Sequence, residues 1–486
     1  MTGAVRSWIP ALGLILALLT CGCVSHLPLR TTPVGVEGPA QGRACVGPAR
    51  ASRSGSCLEI RPSGALLGFV EFDDLGWYWN PEQAATVLTR IRAELRDSPA
   101  VLVVFAHGWN HDAGAGDNNA NDFGTTLDAL VQSEHQRTLR GPGDRHRAII
   151  GIFLGWRGNA YTNARSEESP LQSVTWLYRW SSFWSRKATA HRVGSEQMVA
   201  FLSDLEDLWK ERMVADRTLG SQLPSRLLSV GHSFGGAVLY SALSKVLVDR
   251  RPAGDSEPTT ATYGDGVVLV NPAFESSLFE PLLAFGRRGG GSRTPERRQS
   301  EFHPLVSVFA SGADRPNRVL FPVGRRLSTA TKRYRLQSGG ETMTGSRSFQ
   351  KKANLSALGH FVPITSHVLC PADLARSKSS FCKDQATVHD LAGPDHSSAA
   401  HPPSSRSPSE AVAEIRTQLA QQVHQPRWRQ RFEPGVLLIH ANDKLDPASP
   451  YLVVRVDGSI IKDHNDIFGA DFLSFLIQYL ATFEGE

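Results

Sequence analysis

The sequence has little net charge for its length. Its 52 Lys and Arg residues and 47 Asp and Glu residues leave a formal charge of +5 over 486 residues. The basic residues are scattered rather than gathered into a stripe, which argues against nucleic-acid binding. Motifs for a metal, a flavin or a nicotinamide are also missing, so we expect no cofactor.

The apolar run near the N-terminus is too short to span a membrane. Residues 8–19 form an apolar run of about a dozen residues after Arg6, whereas a bilayer needs roughly 20 helical residues. The run ends in small residues and cysteine, at positions 20–23. This arrangement is typical of an export signal.

The end of this run resembles a bacterial lipoprotein signal, in which the cysteine at the cleavage point becomes lipidated. Cys23 follows the small residue Gly22 and fits that position better than Cys21, although Thr20 stands where leucine is usual. We therefore expect residues 1–23 to be a signal peptide that ends at the lipidated Cys23. The acyl chains would anchor the protein in the bacterial envelope, on a periplasmic or outer-membrane face. Plain secretion, with both cysteines removed or free, is the alternative.

Cysteine is scarce, with six residues in the chain. Four lie beyond the signal as two pairs 12 positions apart, Cys45 with Cys57 and Cys370 with Cys382. They are not part of a close Cys-x-x-Cys or Cys/His cluster, which argues against a metal site. An even count in an exported protein predicts disulfides, and each local pair would stabilise the fold by about 3 kcal/mol.

The composition divides the rest of the chain. Residues 24–63 are rich in Pro, Gly, Ser and Arg and have little periodicity, which predicts a flexible tether. The folded domain is expected over 64–486. Two segments inside it, at about 286–299 and 376–409, have the biased composition of irregular or disordered insertions.

Continuous apolar runs alternate with amphipathic segments through the domain. This alternation predicts an α/β fold, in which helices cover both faces of a mostly parallel sheet. Strands are expected at 66–72, 101–105, 148–156, 226–230, 266–270, 306–309, 436–440 and 451–456, and helices at 81–97, 122–135, 192–212, after Ser233 and at 469–483.

Residues 227–236, LLSVGHSFGG, read as a strand, a sharp turn and the start of a helix. A serine at the apex of a strained turn leaves no space for side chains two positions away, and Gly231 and Gly235 meet that requirement. Ser233 would lie at the N-terminus of the helix, where backbone N–H groups face an anion. An ordinary glycine-rich turn is the alternative interpretation.

These features resemble the α/β-hydrolase superfamily, and within it bacterial lipoprotein-type serine esterases and lipases. The resemblance rests on the Gly-x-Ser-x-Gly pattern at Ser233, on His107-Gly108 after an earlier strand, and on the chain order Ser, Asp, His. It covers residue 66 to the C-terminus outside the insertions. It implies the α/β-hydrolase fold and a triad of serine, histidine and acid.

A serine hydroxyl is a weak nucleophile and needs a base within hydrogen-bond reach. The resemblance implies a base in the loop before the last helix, where His464 stands in a polar stretch. The rival is His440, which ends one strand and precedes another. His360 and His367 have no comparable setting.

The base needs an acid that fixes its tautomer. Asp314 follows the predicted strand 306–309 and matches the late-strand carboxylate of the family. Asp443 is the rival, because it also follows an apolar strand and precedes His464. For both residues, capping of a loop turn is the structural alternative.

Acyl transfer also needs hydrogen-bond donors directed at the oxyanion of the tetrahedral intermediate. One donor is expected to be the backbone N–H of Phe234, the residue after the serine. The second is expected from the loop after strand 101–105, as the backbone N–H of Trp109, with Gly108 allowing close approach. We assign the His107 side chain to bracing of the loop rather than to chemistry.

The sequence thus predicts a serine hydrolase of carboxylic esters, with lipid or acyl esters as substrates for a membrane-anchored enzyme. A thioesterase, acyltransferase or peptidase with the same residues is the main alternative. A catalytically silent envelope binding protein is a third, against which an intact serine, histidine and acid argue. Four tryptophans are candidates for an apolar lid or an acyl pocket, and ordinary packing is the alternative. They are Trp156, Trp176, Trp180 and Trp184.

Overall fold

One mixed, mostly parallel sheet of 11 strands forms the centre of the computed structural model. The structure describes residues 28–31, 55–137, 145–159, 172–221, 223–250, 263–283, 302–329, 347–374, 377–390 and 408–483. The strands are β1 Leu58–Ile60, β2 Leu66–Glu71, β3 Ala100–Ala106, β4 Ala148–Gly155, β5 Arg226–His232, β6 Gly266–Val270, β7 Val306–Ser311, β8 His367–Pro371, β9 Arg429–Phe432, β10 Val436–His440 and β11 Tyr451–Val456.

The order of the strands brings several loops together. Across the sheet the order is β1-β2-β4-β3-β5-β6-β7-β11-β8-β10-β9. All pairs from β2 to β8 in this order are parallel, and the pairs of β1, β9 and β10 are antiparallel. Strands β2 to β7 therefore end at one edge, here called the carboxyl edge, where ligands of parallel sheets usually bind.

Strand β3 shows why the sheet is buried on both faces. All seven of its residues are buried. Val101 and Val103 pack in one apolar cluster, whereas Leu102 and Val104 pack in the other. Because successive side chains of a strand point to opposite faces, a continuous apolar run requires a helical layer on each face. The predicted α/β class with a mostly parallel sheet is confirmed.

Helices supply both layers. They are α1 Pro81–Asp97, α2 Asn118–His135, α3 Gln172–Val193, α4 Gln197–Thr218, α5 Phe234–Asp249, α6 Phe321–Ser328, α7 Arg347–Leu355, α8 Ser380–Asp390, α9 Pro408–Gln422 and α10 Ala470–Ala481. One face is covered by α1, α3, α4 and α5, and the other by α2, α9 and α10. None of the helices in the described residues is long and apolar enough to cross a membrane.

The prediction of one continuous helix over 192–212 is wrong at its first residues, because the chain forms two helices there. Helix α3 ends at Val193 and α4 begins at Gln197. A Cβ at the intervening Gly194 would lie 2.3 Å from the backbone oxygen of Val238 in α5. Only glycine permits this close approach between the chain and a neighbouring helix, and the chain turns there instead of continuing as a helix.

The tether prediction is wrong for two short segments. Leu29 and Arg30 are buried, and their backbone N–H groups donate to the carboxylate of Glu71 at 2.9 and 2.8 Å. The Arg30 guanidinium donates to the carbonyl of Ala113 at 2.5 Å. Strand β1, which also lies within the predicted tether, is an edge strand of the sheet and pairs with β2. A buried carboxylate is stable only with such donors, and composition does not reveal them. The signal segment with Cys23 lies outside the described residues.

The predicted disulfide between Cys370 and Cys382 is confirmed, with the two Cα atoms 5.8 Å apart. It joins the end of β8 to helix α8, which lies inside the insertion 376–409. The expectation of irregular structure is therefore wrong for Ser380–Asp390. Cys57 is also disulfide-bonded. Cys45 and the insertion 286–299 lie outside the described part of the chain.

Candidate active site

Ser233 lies in the turn between β5 and α5, at the carboxyl edge. Its backbone has φ 55° and ψ −118°, a conformation that non-glycine residues rarely adopt. A Cβ at Gly231 would lie 2.8 Å from the backbone oxygen of Gly235. A Cβ at Gly235 would lie 1.9 Å from the backbone oxygen of Ala106. The turn that presents Ser233 therefore requires both glycines.

The loop after β3 packs against the serine. A Cβ at Gly108 would lie 2.8 Å from the Cβ of Ser233, so a larger residue would separate this loop from the turn. His107 holds the loop in place. Its ring Nε2 accepts from the backbone N–H of Trp156 at 3.1 Å, and its carbonyl accepts from the Trp156 indole at 3.0 Å. Burial lowers the pKa of His107 to about 4, so the ring is neutral at pH 7.

The imidazole of His464 meets the serine from the loop between β11 and α10. Its Nε2 lies 2.7 Å from Oγ of Ser233. The buried side chains of Ile461 and Ile467 anchor this loop on either side of the histidine. At this distance Nε2 can accept the hydroxyl proton directly.

Asp314 lies behind His464, in the turn after β7. Its Oδ1 is 3.0 Å from Nδ1 of His464, an ion-pair distance without the alignment of a linear hydrogen bond. The carboxylate is fully buried. Burial alone raises the pKa of Asp314, but the nearby His464 charge and contacts with His360 and His464 outweigh it and hold the pKa well below 3.8. The acid is therefore ionised at neutral pH.

Two residues that the sequence did not indicate surround Asp314. The backbone N–H of Asn317 donates to Oδ1 at 3.0 Å, and its side-chain amide donates to Oδ2 at 2.9 Å. His360, dismissed as a candidate base, lies with Nε2 3.7 Å from Oδ2. Asn317 could have been noticed as a polar residue close to the acid. His360 had no local signal, because it comes from the loop between α7 and β8.

The backbone of His464 is held by two further donors. Nε2 of His232 lies 2.8 Å from the His464 carbonyl oxygen, and the amide of Asn271 donates to the same oxygen at 3.0 Å. Burial, followed by the nearby His464 charge, lowers the pKa of His232 well below 6.5. The neutral ring therefore donates through Nε2–H. Oδ1 of Asn271 also accepts from the backbone N–H of Ser311 at 2.8 Å, which joins this clamp to the end of β7.

The rival residues lie elsewhere. Asp443 is exposed and pairs with Arg427, with carboxylate and guanidinium 2.6 Å apart. His440 packs edge-on against His367, with 5.2 Å between the ring centroids. His367 in turn contacts the hydroxyl of Ser366 at 2.8 Å. The structure thus brings Ser233, His464 and Asp314 together and leaves Asp443 and His440 outside the cluster.

The two residues expected to supply oxyanion donors lie in segments next to the serine. Phe234 is the first residue of α5, where backbone N–H groups lack intrahelical acceptors. Trp109 follows Gly108 in the loop that packs against Ser233. The ring of Phe183 in α3 contacts both side chains, at centroid distances of 4.8 Å from Phe234 and 5.5 Å from Trp109. Phe183 of α3 thus packs on the residue after the serine and on the loop beside it, and Ser233 is only 1% exposed.

The tryptophans that the sequence singled out have different surroundings. Trp156 is buried against His107 and braces the loop after β3. Trp184 of α3 packs on α6, with 6.2 Å between its ring centroid and that of Phe321. The side chains of Trp176 and Trp180 lie outside the described residues. Packing thus accounts for Trp156, and Trp184 joins α3 to α6.

An apolar cavity of about 120 Å³ lies away from this cluster, between α2 and α10. Its walls include Phe105, Phe123 and Phe472, and neither Ser233 nor His464 lines it. In the described part of the chain, no group of three or more His, Cys, Asp and Glu side chains is arranged to hold a metal ion.

No protein-family model, curated protein or solved structure matches this chain.

Proposed function

We propose that this chain is a serine hydrolase with the α/β-hydrolase fold that cleaves carboxylic esters through an acyl-enzyme. The observation that carries the proposal is the contact line from Ser233 Oγ to His464 Nε2 at 2.7 Å and from His464 Nδ1 to Asp314 Oδ1 at 3.0 Å. The chain order of these residues and their places after β5, after β7 and before α10 support the fold assignment.

In the first half of the reaction, Ser233 Oγ attacks the ester carbonyl carbon while its proton passes to Nε2 of His464. The ionised Asp314 stabilises the resulting imidazolium and keeps Nε2 directed at the serine. The oxyanion accepts hydrogen bonds from the backbone N–H groups of Phe234 and Trp109. Collapse of the tetrahedral intermediate breaks the C–O bond to the alcohol, which takes the proton from Nε2 and leaves.

In the second half, water replaces the alcohol. His464 Nε2 removes a proton from the water as its oxygen attacks the acyl carbon, and a second oxyanion forms at the same donors. The bond to Ser233 Oγ then breaks, the serine recovers its proton from Nε2, and the carboxylic acid leaves. The buried setting excludes other water and strengthens these electrostatic contacts.

Lipid or other acyl esters are the proposed substrates. The export signal and the cysteine at position 23 favour an enzyme anchored in the bacterial envelope, where such esters are concentrated. A lipid-anchored chain meets membrane esters without having to bind the membrane from solution. The lipid attached to Cys23 is part of this proposal.

Labelling of the full chain with a fluorophosphonate probe tests the chemistry. We expect covalent labelling at Ser233 and hydrolysis of p-nitrophenyl esters, with a dependence on acyl length that reports the depth of the acyl pocket. Preference for a thioester or an amide of the same acyl group would move the activity to another acyl-transfer class. Absence of labelling in a folded protein would indicate a binding protein.

A further inference from the structure

Residues 315–328, here called the basic segment, expose apolar side chains on one face. The segment consists of the helical turn Pro316–Leu320 followed by α6. Val319, Val323 and Leu327 are spaced four residues apart and are 57%, 44% and 67% exposed. Phe321 and Asn317 point inward and are fully buried. This is an amphipathic helix whose outward face is apolar, the reverse of the usual arrangement on a protein surface.

Positive charge borders this apolar face. Arg315, Arg318 and Arg326 are exposed in the same segment. Over residues 315–329 the chain has four Arg residues and no Asp or Glu, and one of the four, Arg325, pairs with Glu275. Apolar side chains bordered by arginines match the boundary between acyl chains and anionic headgroups in a bilayer.

The basic segment lies at the carboxyl edge, beside the candidate active site. It begins one residue after Asp314, and Trp184 of α3 packs so closely on it that a Cβ at Gly324 would lie 1.7 Å from the indole ring. Leu75 and Trp77, in the loop that follows β2 at the same edge, are 54% and 50% exposed. Exposed apolar side chains therefore occur at two positions along this edge.

The N-terminal segment reaches the body at this edge as well. Glu71, which binds the backbone of Leu29 and Arg30, is the last residue of β2, and Ala113, which binds the Arg30 guanidinium, lies in the loop after β3. Only six residues lead from Cys23 to Leu29, a span of at most about 20 Å. A lipid on Cys23 would therefore hold the carboxyl edge close to the membrane.

We propose that the basic segment binds the headgroup layer of an anionic bilayer and turns the carboxyl edge, with Ser233, toward the membrane. The inference deepens the proposed function, on which it rests for the anchor at Cys23. The bilayer is favoured over a protein partner because the anchor and the apolar, positively charged face lie at the same edge. The substrates would then be acyl esters within the membrane surface.

Hydrogen–deuterium exchange of the full chain tests this orientation. The protein is measured in detergent, in phosphatidylcholine vesicles, and in vesicles of three parts phosphatidylcholine to one part phosphatidylglycerol. We expect amide exchange in peptides from 316–328 to slow several-fold in the anionic vesicles, and less in the zwitterionic ones. Leu219 precedes β5 at the opposite edge of the sheet and is 74% exposed. Amide exchange in peptides around Leu219 should be the same in all three conditions.

Two matched variants sharpen the test. Val323→Asp should abolish the slowed exchange in 316–328, whereas Leu219→Asp should leave it unchanged. Both should hydrolyse a soluble p-nitrophenyl ester at the wild-type rate, because neither residue contacts the serine, histidine or acid. Only Val323→Asp should lower turnover of an ester embedded in anionic vesicles, by several-fold.

Several outcomes would overturn the proposal. Unchanged exchange of 316–328 in anionic vesicles would do so, as would equal slowing at Leu219. Slowing that depends on protein concentration and needs no vesicles would assign the face to a second copy of the chain. Mass analysis of the N-terminal peptide reports the lipid on Cys23, and soluble-ester turnover reports the chemistry, so failure of either is distinguished from failure of the docking surface.

Discussion

Nε2 of His232 lies 2.8 Å from the backbone carbonyl oxygen of His464, so the residue before Ser233 positions the residue that contacts it. The amide of Asn271 donates to the same oxygen at 3.0 Å. The side chain of His464 is thus held by Asp314, and its backbone is held independently by two donors. A proton acceptor needs such support, because a small displacement of a catalytic group lowers the rate steeply.

We predict that His232→Ala lowers kcat for a soluble ester by about 10- to 100-fold and leaves KM nearly unchanged, since the His232 side chain is buried. His232→Gln, which can donate to the same carbonyl, should recover part of the loss. His367→Ala removes an equally buried histidine far from the serine and serves as the control. Equal kcat values for the wild type and His232→Ala would contradict the positioning role.

We predict that Ser233→Ala abolishes ester hydrolysis and leaves the fold intact. Alanine removes one oxygen and can occupy the same turn. His464→Ala should be nearly as damaging, and the double variant should be no worse than Ser233→Ala, because the residues act as a unit. Turnover and fluorophosphonate labelling are measured beside circular dichroism. More than a few per cent of wild-type turnover in Ser233→Ala would remove the serine from the mechanism.

The two aspartates are separated by matched amide variants. Asp314→Asn should lower turnover by about three to four orders of magnitude, since the amide can donate to Nδ1 of His464 and favour the wrong tautomer. Asp443→Asn should have little effect, because this exposed carboxylate pairs with Arg427 and lies outside the cluster around Ser233. An inactive, well-folded Asp443→Asn beside an active Asp314→Asn would move the acid to the loop after β10.

Stability should fall in mild acid because His191 is buried as a neutral ring. Burial, followed by the charge of Lys187, lowers the pKa of His191 from 6.5 to about 4. Between these values the unfolded chain binds a proton that the folded chain does not, so stability present above pH 6.5 is lost as the pH falls. His191→Gln should reduce this loss by about 1 kcal/mol per pH unit.

Urea unfolding of both proteins at pH 7 and pH 5 measures the difference. The glutamine can retain the contact with Ser241, which lies 2.8 Å from Nδ1 of His191 in the wild type. An identical pH dependence in the wild type and His191→Gln would show that His191 does not cause the loss.

Replacing Cys370 and Cys382 together by alanine should lower the free energy of unfolding by about 3 kcal/mol, because the closed loop limits the freedom of the unfolded chain. Urea unfolding without reductant measures the loss. Both cysteines are buried between β8 and α8, so part of the effect comes from packing. Unchanged stability in the double variant would contradict the prediction.

Most strands of the parallel sheet were predictable, because a strand covered on both faces is a continuous apolar run. Strand β3 and strand β6 are examples, with every residue buried. Strand β8 was missed, since its five residues include His367 and Cys370 and it pairs with β10 in antiparallel fashion. The break at Gly194 was also missed, because its cause is the backbone of α5 rather than a local pattern.

The sequence by itself determined the α/β class, the turn at Ser233 and the pairing of Cys370 with Cys382, because each depends on residues close together in the chain. Only the tertiary structure decided that Asp314, and not Asp443, lies beside His464, and that Leu29 and Arg30 bind Glu71. Ser233 and His464 are 231 positions apart, and Leu29 and Glu71 are 42 apart. Local periodicity reports which face of an element is apolar, whereas such contacts depend on the order of strands across the sheet.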